Sequence, residues 1–443
     1  MELDVHVRGR HVAQLYRKDD EYVLQYRHGV APEDFVSLAM PVQDEPWRWP
    51  RDLHPFFRQN LPEGYLLDVI REVFGPLMDG TDLSLLAVVG ASGIGRVAVT
   101  AEGGKPGVAL DALSIDELLT TEHSTEQFGD LVRQYARSAI SGVVPKFIAP
   151  EGKDEASGKA TLRTPRHIIK GSDGQTPYLG FNEFYSLRVL ERLNVVPVAR
   201  TRMSEDGQVL VVDRFDIDAQ GNPAYGVEDA CSLLGLPPHE KYLPTTEKVL
   251  RATDAYVSAG RRRAQRMHFG WQLLINYVVR NADCHAKNIA LYYTSFGDVA
   301  YSPVFDVVTT QAYPRYANNG PGLSVGGHKT WTPGKTLQQF FLSRLGIPSR
   351  EYDSMVERLC ESAVEVGKEI IEAARQEPRW TWIATQMLHA WNDGMCTLRS
   401  PKKLPQYRGL DAAMAAAGIG PADNPEKRGA LGRSDLMAME KAP

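Results

Sequence analysis

The sequence predicts an α+β protein with two lobes, β-rich first and helix-rich second, behind a small N-terminal α+β subdomain. Three observations predict it. The 443 residues are 43% hydrophobic and 24% charged, the balance of a soluble globular chain with material for two to four domains. Short apolar runs of strand character recur up to about residue 245. Beyond it, apolar residues repeat at helical spacing over 246–260, 262–281, 351–374 and 381–398.

Residues 1–105 read as the subdomain. Val5 and Val7, Val12 and Leu15, and Tyr22, Leu24 and Tyr26 mark strand runs, with turns at Arg8-Gly9-Arg10 and Arg17-Lys18-Asp19-Asp20. Leu61-Pro62-Glu63-Gly64 precedes a helical pattern over 65–74, whose stripe is Leu66, Val69, Ile70 and Val73. Asp82 to Val89 reads as a helix ending at Gly90, and 93–100 as a strand. The β-rich lobe, 106–245, opens with a linker to about 120. It has strand-like segments at 139–149, 161–170 and 208–215, around a helix at 182–194. The helix-rich lobe occupies 246–400. Residues 401–443 carry five prolines and an Ala-rich piece at 412–417, and read as a mobile tail.

The net charge of -5 and pI near 6.2 give no global attraction to nucleic acid or an anionic membrane. The four cysteines (Cys231, Cys284, Cys360 and Cys396) form no CxxC pair and read as reduced thiols. The N-terminus lacks the apolar core of a signal peptide. No run reaches the ~18 apolar residues of a membrane span. The expected location is cytoplasmic, without a membrane partner.

The chemistry concentrates in Asn281-Ala282-Asp283-Cys284-His285-Ala286-Lys287-Asn288, a loop between a long apolar helix and a β-type run. Asp283 and Asn288 have the spacing of the protein-kinase catalytic loop. There the acid accepts the proton of the attacking hydroxyl, and the amide ligates Mg²⁺. Asp306 follows after a stretch long enough for a hairpin, where kinases keep a second metal-holding acid, although Val307 and Val308 replace the rest of D-F-G. Upstream, the β-type run Arg166-His-Ile-Ile-Lys170 resembles the strand whose lysine meets the α- and β-phosphates. Glu183 is placed to pair with it from the following helix. Ser141-Gly142-Val-Val-Pro-Lys146 stands where a phosphate-covering loop belongs, with a single glycine. Each piece has a plainer reading: Lys170 as a sheet-edge lysine, Glu183 as a first-turn acid, His285 as a structural histidine, Asp306 as a turn residue. Their order along the chain points to phosphoryl transfer and a two-lobe protein-kinase-like fold.

The same residues resemble the HipA family, the kinase toxins of type II toxin–antitoxin modules. Asn281 to Asn288 fits the family pattern N-x-D-x-H-x-K-N, and Arg214-Phe215-Asp216 fits its R-F-D. Asn182-Glu183, Glu228-Asp229, Lys241-Tyr242, Leu61-Pro62-Glu63-Gly64 and the helix before Gly90 are also similar to family signatures. The resemblance spans roughly 1–400. It implies ATP and Mg²⁺ as cofactors, Asp283 as catalytic base, and Asn288 and Asp306 as metal ligands. It implies Lys170 on the α- and β-phosphates, Asp213 and Phe215 at the adenine, and His285, Lys146 and Gly142 near the phosphates. Family members autophosphorylate a serine of the phosphate loop. That position is Ala139 here, and Ser141 is the candidate, with Ser138 behind it. The implied substrate is a translation component such as an aminoacyl-tRNA synthetase. The implied partner is a helix-turn-helix antitoxin, through which operator DNA is reached.

Competing readings stand beside these. Gly90-Ala-Ser-Gly93-Ile-Gly95 follows a helix and has the wrong spacing for a dinucleotide loop, so it reads as cap and turn. Arg261-Arg262-Arg263 with Arg266 reads as a solvated face or as a substrate or nucleic-acid contact. For the whole chain, one alternative is a kinase-like module that binds an antitoxin and co-represses DNA with little phosphoryl transfer. Another is a metal-dependent hydrolase built on Asp283, His285 and Asp306.

Overall fold

The structure is a computed structural model that describes residues 1–61, 67, 70, 71, 78–106, 114–122, 160–163, 166–172, 174–399 and 409–419. The expected strand at 139–149, most of the expected helix at 65–74 and most of the tail lie outside the described residues.

The N-terminal runs form an antiparallel sheet of five strands: β1 (Glu2–Val7), β2 (Arg10–Lys18), β3 (Glu21–Tyr26), β4 (Trp47–Pro50) and β5 (Val97–Ala101), in the order β4-β3-β2-β1-β5. Arg8 and Gly9 both take positive φ, 50° and 75°, the conformation a two-residue hairpin needs to match strand twist. Helix α1 (Asp82–Val89) is capped by Thr81, whose Oγ1 accepts the Ser84 N–H at 3.2 Å. It stops where a side chain cannot fit: a Cβ on Gly90 would stand 2.4 Å from the Val99 carbonyl oxygen. Gly95, at φ 92°, turns the chain into β5 and donates its N–H to Asp216 at 2.7 Å. The glycine stretch is thus a helix end, a close approach and a turn.

A second antiparallel sheet follows: β6 (Ala160–Arg163), β7 (His167–Gly171), β8 (Thr201–Met203) and β9 (Val209–Asp213), ordered β6-β7-β9-β8. The run read as one strand over 161–170 is two antiparallel strands, with Thr161 opposite Lys170. Helix α2 (Leu179–Leu193) meets this sheet through Phe184, clustered with Ile168, Leu210 and Val212, turns Phe181, Leu187 and Leu190 into the core shared with the helix-rich part, and ends at Asn194 in the left-handed region.

The helix-rich part holds α3 (Thr246–Asp254), α4 (Arg262–Val278), α5 (Ser349–Gln376) and α6 (Thr381–Leu398). Helices α4 and α6 touch closely at Gly394, where a Cβ would lie 2.0 Å from the Val278 carbonyl oxygen. A small antiparallel sheet crosses the expected boundary at 245. Strand β10 (Gly226–Asp229) pairs with β11 (Ala290–Tyr293), which pairs with β12 (Ala300–Tyr301). The arginine run at the start of α4 is engaged within the chain: Arg261 donates to the Asp298 carbonyl, Arg263 meets Glu351 at 3.0 Å, and Arg266 meets Asp254 at 2.6 Å. Among the described residues no helix is long and apolar enough to cross a membrane.

Two buried charges join the subdomain to the rest. Arg96, 1% exposed, donates to the carbonyls of Thr294 (2.7 Å) and Phe35 (2.9 Å) and lies 4.3 Å from the Phe35 ring centre. Glu228 accepts from Ser37 Oγ (2.8 Å), the Leu38 N–H (2.6 Å) and the Tyr293 hydroxyl. Burial pushes the Glu228 carboxyl up to about 7. A folded-state value raised from 4.5 contributes stability that is complete below 4.5 and lost as pH rises through about 7. The melting temperature is therefore expected to fall between pH 5 and 8, and Glu228→Gln, which cannot ionise, should flatten that slope. An equal slope in the variant would remove Glu228 as its cause.

Candidate active site

Helix α4 ends at Val278, and Arg280 takes φ 57°, reversing the chain into the 281–288 loop. Its guanidinium donates to the Asp393 carbonyl at 2.8 Å and lies 4.7 Å from the Trp331 ring centre, which pins the reversal. The loop is then held at nearly every residue. Asn281 donates its amide to Asn276 Oδ1 (2.7 Å) and accepts the Asp283 N–H (3.0 Å), an Asx-type turn. Thr310 Oγ1 accepts the Ala282 N–H at 2.7 Å, and Lys241 O accepts the Ala286 N–H at 3.1 Å. Asn288 gives its NH₂ to the Asp283 carbonyl at 3.0 Å, which leaves its amide oxygen as the end able to face a cation.

Three charged side chains from three elements meet beside this loop. Lys170 Nζ, on β7, lies 2.7 and 2.9 Å from the Glu183 carboxylate on α2, and 2.7 Å from Asp306 Oδ1. Their side chains are 12%, 1% and 20% exposed for Lys170, Glu183 and Asp306. The β11–β12 hairpin returns the chain to this point. Asp306 sits at φ 56°, a left-handed conformation that costs a non-glycine residue about 1 kcal/mol or more. Its carbonyl accepts from Asn281 Nδ2 at 3.3 Å, so the acid is tied to the loop that carries Asp283. Lys170, Glu183, Asp306, Asp283 and Asn288 thus form one connected constellation. Two carboxylates, Glu183 and Asp306, share one lysine within it.

His285 is buried, its ring edge-on to Tyr242 at 4.9 Å between centroids. Burial pushes its imidazole down to about 4, so it is neutral at pH 7. Cys284 is likewise held as an inert thiol, pushed up to about 12 by burial. Asp213 ends β9. Its N–H donates to Arg200 O at 2.9 Å, and its carboxylate lies 3.6 Å from Arg202 and 3.7 Å from His167. The Phe215 ring packs 5.9 Å from that of Phe305, the neighbour of Asp306. Ser138, Ser141, Gly142 and Lys146 lie outside the described residues.

Two features of the site escaped the sequence reading. Arg214 and Asp216 make a buried ion pair, 3.0 Å at Nε and 2.5 Å at Nη2, and Arg214 also donates to Gly93 O at 3.0 Å. They serve as a strut to the N-terminal subdomain. Tyr242 donates its phenol proton to Asp283 Oδ1. The Lys241-Tyr242 pair was visible as a motif, but nothing local assigned it to the loop. The hydrolase alternative gains no support: among the described residues no three His, Cys, Asp or Glu side chains gather as a metal cluster. It also leaves the Lys170–Asp306 bond without a purpose.

Comparison with known proteins agrees with this architecture. Residues 3–100 match the HipA N-terminal domain, and residues 138–366 match the HipA-like C-terminal domain. Y4mE of Sinorhizobium fredii, a protein named as an inferred kinase, is 30% identical over 308 residues, 63% of this chain and 69% of its own length. Y4dM of the same organism, similarly named, is 25% identical over 277 residues, 58% of this chain and 63% of its own. Among solved structures, the Shewanella oneidensis toxin–antitoxin complex of HipA, HipB and operator DNA contains a similar fold. The TM-score is 0.60 at 18% identity, covering 88% of this chain and 96% of that one. With both domains matched and the kinase-type constellation assembled within the second, the chain belongs to the HipA family, the kinase-fold toxins of type II toxin–antitoxin systems.

Proposed function

We propose that this protein is a Mg²⁺- and ATP-dependent serine/threonine protein kinase, acting as the toxin of its module. The observation that carries this reading is Lys170, bonded at once to Glu183 and Asp306. A lysine held by a helix acid and facing a second, loop-borne acid is the kinase arrangement for phosphates and metal.

The residues fit the nucleotide and its metal. Lys170 holds the α- and β-phosphates, with Glu183 fixing its position. Asp306 and the Asn288 amide oxygen hold Mg²⁺. Bound Mg²⁺–ATP supplies the phosphoryl group and ADP as leaving group. Asp283 accepts the proton of the acceptor hydroxyl as that oxygen attacks. The N–H groups of Asp213 and Arg214 already donate to Arg200 O and Arg166 O. Adenine contact from this stretch then falls to the other backbone groups around Asp213 and Phe215 and to the Phe215 ring. His285, neutral at pH 7, contributes shape but no positive charge. Lys146 and Gly142 complete the phosphate loop, and Ser141 is its autophosphorylation site. The substrate is a translation component such as an aminoacyl-tRNA synthetase. By analogy with the Shewanella complex, the partner is a HipB-like antitoxin that carries the contact with operator DNA.

The deciding experiment incubates the full chain with Mg²⁺ and γ-labelled ATP, alone and with a cell lysate, beside Asp283→Asn. Label on Ser141 or on a lysate protein, absent in the variant, is the expected result. Bound ATP with no label in either protein overturns the kinase reading in favour of a binding module. Asp306→Asn is expected to weaken Mg²⁺-dependent ATP binding by at least about tenfold, since it removes a metal-facing charge. Titration with a fluorescent nucleotide, with and without Mg²⁺, checks this, and unchanged affinity withdraws Asp306 from the metal.

A further inference from the structure

The Lys241-Tyr242 pair belongs to a segment that the catalytic reading does not use, yet it is stitched to the catalytic loop from both ends of its backbone and side chain. Lys241 O accepts the Ala286 N–H at 3.1 Å. The Tyr242 phenol donates to Asp283 Oδ1, and its ring stands edge-on to His285 with centroids 4.9 Å apart. Lys241 Nζ and Lys329 Nζ each lie 5.7 Å from the centre of that ring. Immediately beyond, Leu243 is 68% exposed, so the chain passes in one step from the base to the surface.

We infer that Tyr242 is a positioning residue: its hydroxyl fixes the rotation of the Asp283 carboxylate so that this group meets the acceptor hydroxyl. The inference rests on the kinase reading and deepens it. A carboxylate has two oxygens and about four acceptor positions, and the torsion about its Cβ–Cγ bond decides which of them faces a substrate hydroxyl. The Asn281 and Asn288 bonds hold the Asp283 backbone. The bond from a phenol whose ring stands against His285, and whose neighbour Lys241 is tied to Ala286, acts on that torsion by holding one carboxylate oxygen. The tyrosine ring alone could fill the same space without setting the torsion, so the hydroxyl is the part to test. Misplacing a reacting group by about 1 Å costs on the order of 100-fold in rate.

The test compares wild type, Tyr242→Phe and Tyr242→Leu as full chains. Three quantities are read: single-turnover transfer of label from γ-labelled ATP, nucleotide affinity, and melting temperature. Tyr242→Phe is expected to slow transfer by about 10- to 100-fold with nucleotide affinity and melting temperature unchanged. Tyr242→Leu should lose rate to a similar degree and melt earlier as well. A purely space-filling tyrosine predicts the opposite split, full rate in Tyr242→Phe and loss only in Tyr242→Leu, and that result overturns the inference. Label found on Tyr242 itself also overturns it, by making the residue an acceptor. If wild type binds ATP and transfers no label, the kinase reading falls and this inference falls with it. Wild-type transfer matched by Tyr242→Phe sinks the inference alone. A readout free of nucleotide comes from protein labelled with ¹³C at the tyrosine Cζ. The Tyr242 resonance, identified by its loss in Tyr242→Phe, should move in Asp283→Ala, and a resonance that stays put denies the bond.

Discussion

Asp283→Asn is expected to bind ATP as well as wild type and to transfer phosphate about 10²- to 10⁴-fold more slowly, the usual contribution of a positioned general base. The substitution is nearly isosteric. The amide oxygen still accepts from Tyr242, and the backbone bonds from Asn281 and Asn288 do not involve the side chain. What disappears is a group able to take up the hydroxyl proton. Because the interaction exists only during transfer, the loss falls on turnover and spares binding. Overproduction of the variant should leave growth unaffected. Arrested growth in the presence of an inert Asp283→Asn protein would separate toxicity from phosphoryl transfer at this site. Equal single-turnover rates would remove Asp283 as the base.

Lys170→Met should lose both nucleotide and stability. Glu183 is 1% exposed, and its partner cation is Lys170 at 2.7 Å. Removing one member of a buried pair leaves a charge in low dielectric and costs about 3–5 kcal/mol. For domains of this size that lowers the melting temperature by roughly 10 °C. The variant has an escape, since a buried carboxyl without its cation takes up a proton more readily. A raised folded-state value means stability present at low pH and lost as pH rises. The gap between wild type and Lys170→Met should therefore be widest at pH 8 and narrow toward pH 5, read by melting curves across that range. ATP affinity should fall at both pH values, because protonating Glu183 does not restore the phosphate contact. A variant with unaltered melting and nucleotide binding would reduce Lys170 to a sheet-edge lysine.

The helices were legible because burial on one face writes a period into the chain. Helix α6 occupies 381–398, the span that spacing marked out, whereas α1 at 82–89 buries Leu83, Leu85, Leu86 and Val89 around its girth and was marked by its end at Gly90. Strands of four residues carry too few turns of any pattern. Gly226-Val-Glu-Asp229 has a single apolar side chain larger than glycine and was passed over, although its pairing with β11 joins the lobes. The single strand expected over 161–170 became two, because β-type composition on both arms of a hairpin hides the turn between them.

The chemistry divides in the same way. Asp283 to Asn288 was readable because a tight loop demands its residues at fixed short spacing. Lys170 and Glu183 could be paired from a strand followed directly by a helix. Lys170 and Asp306 are 136 positions apart, and Tyr242 and Asp283 are 41 apart. Closing such distances depends on every intervening element finding its place, and the closure entropy that opposes it grows only slowly with length. Contacts of that kind therefore leave no local period or spacing to read. The sequence by itself determined which elements form and which polar residues stand at their ends. Only the tertiary structure decided that Lys170 would be shared between two acids, that Arg214 and Asp216 would brace the subdomain, and that a tyrosine would bond to Asp283. Those outcomes depend on where folded surfaces meet, and that is set by packing.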